Sequence, residues 1–112
     1  MMNTYQTGSL ITVSNTDYSS AGFIETSTLL PADPAVVTLS VIISGVEQTP
    51  STYVSGSTTG PYTIVKDGVG LYSAELDTTG QPGEWIYRWS GTGGGPQAIK
   101  SNTFTVTDYP QP

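Results

Sequence analysis

The sequence predicts an all-β fold, an antiparallel sandwich of about seven short strands, and three observations point to it. Seven or eight runs of β-favouring residues recur at spacings of roughly 8 to 14 residues, with Gly, Pro, Asn, Asp and Ser between them. The clearest stretch, Gly70 to Gly91 (GLYSAELDTTGQPGEWIYRWSG), alternates large apolar residues with polar ones at the period of a half-buried strand. No segment carries helical or heptad periodicity, and no repeat recurs at a fixed interval. At 112 residues the chain fits one domain, and a domain of that size buries roughly two thirds of its unfolded surface.

Residues 1–8 read as an N-terminal arm, 9–107 as the sandwich and 108–112 (DYPQP) as an extended C-terminal tail. Ser9 to Ser14 is the first expected strand, followed by the turn formers NTDYSSAG. Phe23 to Leu30 is a short strand or an extended edge, stopped by Pro31 and Pro34, which cannot donate to a ladder. Val36 to Ile43 (VVTLSVII) is almost wholly β-branched residues and Leu. Val37, Leu39, Val41 and Ile43 fill one face there and Val36 and Ile42 make the other partly apolar, so this strand is expected at the centre of a sheet. Ser44 to Pro50 is turn chemistry, Ser51 to Ser55 a short strand, SGSTTGP a flexible loop, and Tyr62 to Lys66 a strand ended by DGVG.

The stretch from Gly70 to Gly91 then reads as a hairpin. Its first arm puts Tyr72, Ala74 and Leu76 on one face, and its second puts Trp85, Tyr87 and Trp89 on one face with Glu84, Ile86 and Arg88 opposite. Thr78 to Gly83 holds two glycines and a proline, and the chain is expected to reverse there. GTGGGP makes a further loop, and Gln97 to Thr107 is the last strand, with Phe104 and Val106 on its inner face. The expected core is thus Leu39, Val41, Tyr72, Ala74, Leu76, Trp85, Tyr87, Trp89, Phe104 and Val106.

Composition excludes much chemistry. There is no cysteine and no histidine, which removes disulfides, thiolate metal sites, the commonest general base and the usual imidazole ligand. Nine acidic residues against three basic ones give a formal net charge of −6, and Lys66, Arg88 and Lys100 are scattered singly, which disfavours direct contact with nucleic acid or an anionic membrane. Charged residues are 11% of the chain, below the usual quarter or so. Ser, Thr and Gly take their place, a composition suited to a neutral, hydroxyl-rich surface. The start MMNTYQTGSLITVSN lacks the basic, then apolar, pattern of a secretory signal, and no run approaches the ~20 apolar residues of a membrane span.

Four features invite a functional reading, and each has a plainer structural one. Trp85, Tyr87 and Trp89 in line on one strand suit either a sugar-stacking platform or a core; Ile86 as the sole apolar residue on the other face favours core. Glu75, Asp77 and Glu84 have the residue types of a paired-carboxylate or calcium site, but a sandwich this small has little room for a shaped cleft and there is no D-x-D-x-D-G run, so a solvated face is expected. GTGGGP is glycine-rich like a phosphate loop, yet no Lys-Ser/Thr and no helix follow. Tyr72, five residues after Asp67 and two after Gly70, partly resembles a tyrosine corner, with Ala74 where an antibody-like domain has a cysteine. No catalytic residue, metal ligand or cofactor is implied by any of them.

The order of these features, from YQTGSLITVS through PADPAVVTLSV and GLYSAELD to GEWIYRWSGTG and FTV, resembles a family of small immunoglobulin-like proteins encoded by tailed bacteriophages and prophages. The matching residues are Gly70, Tyr72, Gly83, Trp85, Tyr87, Arg88, Trp89 and Gly91, and the resemblance covers roughly residues 5 to 106. It implies an immunoglobulin-like antiparallel β-sandwich and a non-enzymatic virion structural protein, a capsid decoration or accessory protein or a component of the head-to-tail neck. The partners it implies are other capsid, neck or tail subunits, met in multiple copies through protein–protein contacts. The competing expectation is a carbohydrate-binding or host-adhesion module whose partner is a host-surface glycan.

Overall fold

The computed structural model describes residues 3–16, 23, 30–92 and 98–107. They form ten strands: β1 (Asn3–Gln6), β2 (Leu10–Ser14), β3 (Val36–Ile43), β4 (Val46–Glu47), β5 (Ser51–Val54), β6 (Ser57–Thr59), β7 (Ile64–Gly68), β8 (Leu71–Asp77), β9 (Gly83–Thr92) and β10 (Ala98–Thr107). Seven belong to one sheet, in the order β1-β10-β9-β3-β5-β6 with β4 beside β3, and three to the other, in the order β2-β8-β7. Every pairing is antiparallel except β1 on β10. Among the described residues no helix is long and apolar enough to cross a membrane.

The alternation read from the sequence selects the inner faces. Along β3 Val37, Leu39, Val41 and Ile43 are buried while their neighbours are half-buried, and β3 lies between β9 and β5, as its doubly apolar pattern requires. Along β9 Trp85, Tyr87, Trp89 and Gly91 point inward, and along β8 Tyr72, Ala74 and Leu76 do. All ten residues expected in the core are buried, joined by Ile11, Val13, Phe23 and Ile64. Trp85 stacks on Phe104, the neighbour across the β9–β10 ladder, with centroids 5.5 Å apart, and Tyr5 meets Phe104 edge-on at 5.6 Å.

The two arms of the Gly70–Gly91 stretch do not pair with each other. β8 belongs to the three-stranded sheet and β9 to the seven-stranded one, so the expected hairpin is a crossover between layers. Both arms carry a full stripe of large inward residues, and two such stripes bury each other best from opposite sides of one interior. The five residues between them can reach up to ~17 Å when extended, more than the ~10 Å between packed sheets. β8 instead pairs with β7, and β9 with β10.

Three further stretches expected as irregular hold strands, one of them Val46–Glu47, which pairs with β3 inside the Ser44–Pro50 turn segment. Asn3–Gln6 lies parallel to β10, with Tyr5 opposite Val106, although its polar residues give no alternation to read. Within SGSTTGP, Ser57–Thr59 pairs with β5. The turns before β4 and β6 are both Ser-Gly with positive φ at both residues, at Ser44–Gly45 (50° and 83°) and Ser55–Gly56 (51° and 85°). That is the mirror-image turn whose twist suits two-residue hairpins. Thr58 then links the layers: its hydroxyl donates to the Ile64 carbonyl and accepts from the Ile64 N–H, both at 3.2 Å. The tail from residue 108 and the loop at 93–97 lie outside the described residues, as does all of the Phe23–Leu30 segment but its two ends.

Candidate functional site

The aromatic stripe offers no platform. Trp85 and Trp89 are 1% and 0% exposed, Tyr87 is buried with them, and the Trp85 indole N–H donates to the Gln81 carbonyl at 2.9 Å. Stacking a sugar would need a ring face in solvent, and none of the three has one. The carboxylates do not converge either: Glu75 and Asp77 are exposed on β8, whereas Glu84 is exposed on β9 of the other sheet. Asp77 is engaged locally, its Oδ1 accepting from the Thr79 hydroxyl (2.7 Å) and the Thr79 N–H (3.0 Å), and those two bonds hold its carboxyl below the usual range. Among the described residues no group of three or more acidic side chains is placed to hold a metal. GTGGGP lies mostly outside the described residues.

Polar side chains do converge where β7 turns into β8, around Gly70. Asp33, held between Pro31 and Pro34, reaches across to accept from the Tyr72 hydroxyl (Oδ1, 2.9 Å), from the Gly70 N–H (Oδ1, 2.8 Å) and from Lys66 Nζ (Oδ2, 2.6 Å). Partial burial pushes the Asp33 carboxyl up, but the three donors outweigh it and leave it below its ordinary value. Burial first, and then the bond to Asp33, push the Tyr72 phenol far above the usual tyrosine range, and the Asp33 bond raises Lys66. This corrects the tyrosine-corner expectation: the Tyr72 hydroxyl bonds a carboxylate 39 residues upstream rather than nearby backbone.

Asn15 completes the cluster from the end of β2. Fully buried, it mimics a further strand residue: its Nδ2 donates to the Gly70 carbonyl (2.8 Å), its Oδ1 accepts from the Tyr72 N–H (3.2 Å), and its own N–H donates to the Tyr72 carbonyl (3.1 Å). The Gly70 carbonyl also accepts from the Phe23 N–H at 2.9 Å. Gly70 itself has φ +74°, and a Cβ there would lie 2.4 Å from the Phe23 carbonyl oxygen, so only glycine fits. Beside the cluster opens a hollow of about 260 Å³, walled by Tyr53, Tyr72, Asp33, Lys66 and the Ser55–Gly56 turn. Tyr53 meets Tyr72 edge-on at 5.5 Å.

Chemically the cluster is a clamp. Its carboxylate accepts from three donors, and its Lys is paired with its Asp. Sequence reading passed over Asn15 and Asp33, and saw Lys66 only as a lone cation; the signal available for Asp33 was its place in PADP, where two prolines fix the backbone and leave the Asp to point. Set against family models, curated proteins and solved structures, the chain matches none.

Proposed function

We propose that this chain is a non-enzymatic, immunoglobulin-like structural protein of a bacteriophage virion, acting through protein–protein contacts. The immunoglobulin part is supported by strand order. Reading β1, β10, β9, β3, β5, β6 as A′, G, F, C, C′, C″ and β2, β8, β7 as B, E, D reproduces the two sheets of a variable-type domain. The virion part rests on the sequence resemblance, and the observation that carries it is the burial of Tyr72, Trp85, Tyr87 and Trp89. These motif residues hold two layers together, and what remains for solvent is a hydroxyl-rich, acidic surface suited to weak contacts repeated on a lattice. Capsid, neck and tail subunits are the partners this reading implies, with no catalysis, cofactor, direct nucleic-acid contact or membrane.

The test is to purify particles from cells that carry the gene in a phage or prophage and to quantify the chain by mass spectrometry. The reading predicts co-purification at a fixed multiple of the capsid or neck subunits. Recovery only in the soluble fraction would contradict it.

A second reading, a glycan-binding or adhesive module, is favoured by one feature, the hollow beside Tyr53 with donors and an acceptor at its rim. Glycan-array binding abolished by Tyr53→Ala, with the fold intact, would support that reading over a purely structural one.

A further inference from the structure

Among the described residues the three-stranded sheet ends on β2, and none of them pairs with the outer side of that strand. Its hydrogen-bond phase follows from the residues that flank it. Ser9 accepts from the Thr78 N–H and Asn15 donates to the Tyr72 carbonyl, so Ser9, Ile11, Val13 and Asn15 turn their backbone groups toward β8. The alternation of an antiparallel ladder then turns the N–H and C=O of Leu10 and Thr12 away from β8, to the side where no described strand lies. Thr12 is exposed and Leu10 is 64% exposed. Strand edges left open in this way are ordinarily blunted by lysine, proline or a bulge. β2 has none of these; residues 1–16 contain no charge at all, while the other 96 hold all twelve of the chain's charged residues.

We propose that β2 is a docking edge for a second copy of this chain, pairing antiparallel with its counterpart about a twofold axis through Thr12. The two three-stranded sheets become one six-stranded sheet, β7-β8-β2-β2-β8-β7. In that register Thr12 exchanges both backbone hydrogen bonds with Thr12 of the second copy, and Thr–Thr pairs are favourable across a ladder. Ile11 lies opposite Val13 of the second copy, so the buried stripe runs on without a break.

Charge selects this occupant over a basic partner segment. The edge offers no charge to recognise, whereas a self-pair needs only that none be brought face to face. Glu75, beside Thr12 on β8, lies three strand spacings from its counterpart, about 14 Å, beyond the screening length of about 8 Å at physiological salt. Salt therefore leaves the dimer intact or strengthens it. This inference stands apart from the virion reading and survives or fails without it.

Sedimentation equilibrium from low micromolar to near-millimolar concentration tests it, with circular dichroism to follow folding. The wild type should dimerise reversibly, and added salt should not dissociate it. Thr12→Lys and Thr12→Glu each place like charges face to face across the axis and should weaken dimerisation at least ~10-fold, while an equimolar mixture of the two should restore a one-to-one heterodimer. Thr12→Lys faces Glu75 within its own chain and is the variant expected to keep the fold best. Thr12→Pro, which removes the outward N–H from an edge that tolerates proline, provides an independent disruption. A wild type that stays monomeric over the whole range overturns the proposal, as does a dimer that none of these substitutions weakens.

Discussion

The two ends of β8 solve one problem with different chemistry. At each end the layers must be tied where the chain leaves the three-stranded sheet, and the ends are about 23 Å apart for a seven-residue strand. At the Gly70 end the tie is a carboxylate, a buried amide and a phenol closed over a glycine that admits no side chain. At the Thr78 end it is neutral. Thr78, fully buried, donates its hydroxyl to the Ser9 carbonyl (2.8 Å) and accepts from the Gly8 N–H (3.1 Å), while the Thr7 hydroxyl donates to the Thr78 carbonyl (2.9 Å) and accepts from the Gly80 N–H (3.0 Å). Thr7–Ser9 and Thr78–Pro82 are two of the places where the chain crosses between sheets at this end, so hydroxyls lace one crossover to the other. The fold thus has one fastening built on a charged carboxylate and one built on neutral hydroxyls.

The sharpest way to break the charged end is Gly70→Ala. It sets an L side chain at φ +74° and drives its Cβ into the Phe23 carbonyl, and it should cost about 3 kcal/mol or more in denaturant unfolding. Asn15→Ala comes next, at about 2–3 kcal/mol, because it strands the buried Tyr72 N–H and removes one of the two donors to the Gly70 carbonyl. Thr78→Val breaks the neutral end at about 1–3 kcal/mol, since the Gly8 N–H and the Ser9 carbonyl lose the same hydroxyl.

A pH series sharpens the contrast. The Asp33 carboxyl lies below its ordinary value of 3.8 in the folded chain, so its stabilisation is present above that value and is lost as pH falls through the folded one. Tyr72 is raised above its ordinary 10.0, so its stabilisation is present below pH 10.0 and is lost as pH rises beyond it. Asp33→Asn should make the acid limb of unfolding free energy against pH shallower, with Asp77 still contributing, and Tyr72→Phe the alkaline limb, with Tyr62 still contributing. Thr78→Val should run parallel to the wild type throughout. The acid effect is modest, about 1 kcal/mol or less, because a third of the Asp33 side chain is exposed. Lys66→Met should change the midpoint least of all, its ammonium being at the surface.

How far the molecule could be read from its residues divides along the same line. Period-2 alternation is a local signal, and it sufficed for the inner faces of β3, β8, β9 and β10, down to the individual rings. It says nothing of which strands are neighbours, which is why Gly70–Gly91 reads as a hairpin until the layers are seen. β1 and β6 escaped because NTYQ and STT have no apolar alternation; their partners β10 and β5 make them strands. Asn15, Asp33 and Thr78 escaped for a different reason. Each is a small polar residue in a turn, where such residues are ordinary, and only a contact 39 to 71 residues distant gives it a role.

The central claim is that the indoles of β9 stand between the two sheets and hold them. Tryptophan emission with a soluble quencher tests it most directly, since Trp85 and Trp89 are the chain's only tryptophans. The account predicts blue-shifted emission that acrylamide and iodide barely quench, passing to red-shifted, quenchable emission in one transition that coincides with loss of β-structure. Native-state emission already red-shifted and open to iodide would contradict it.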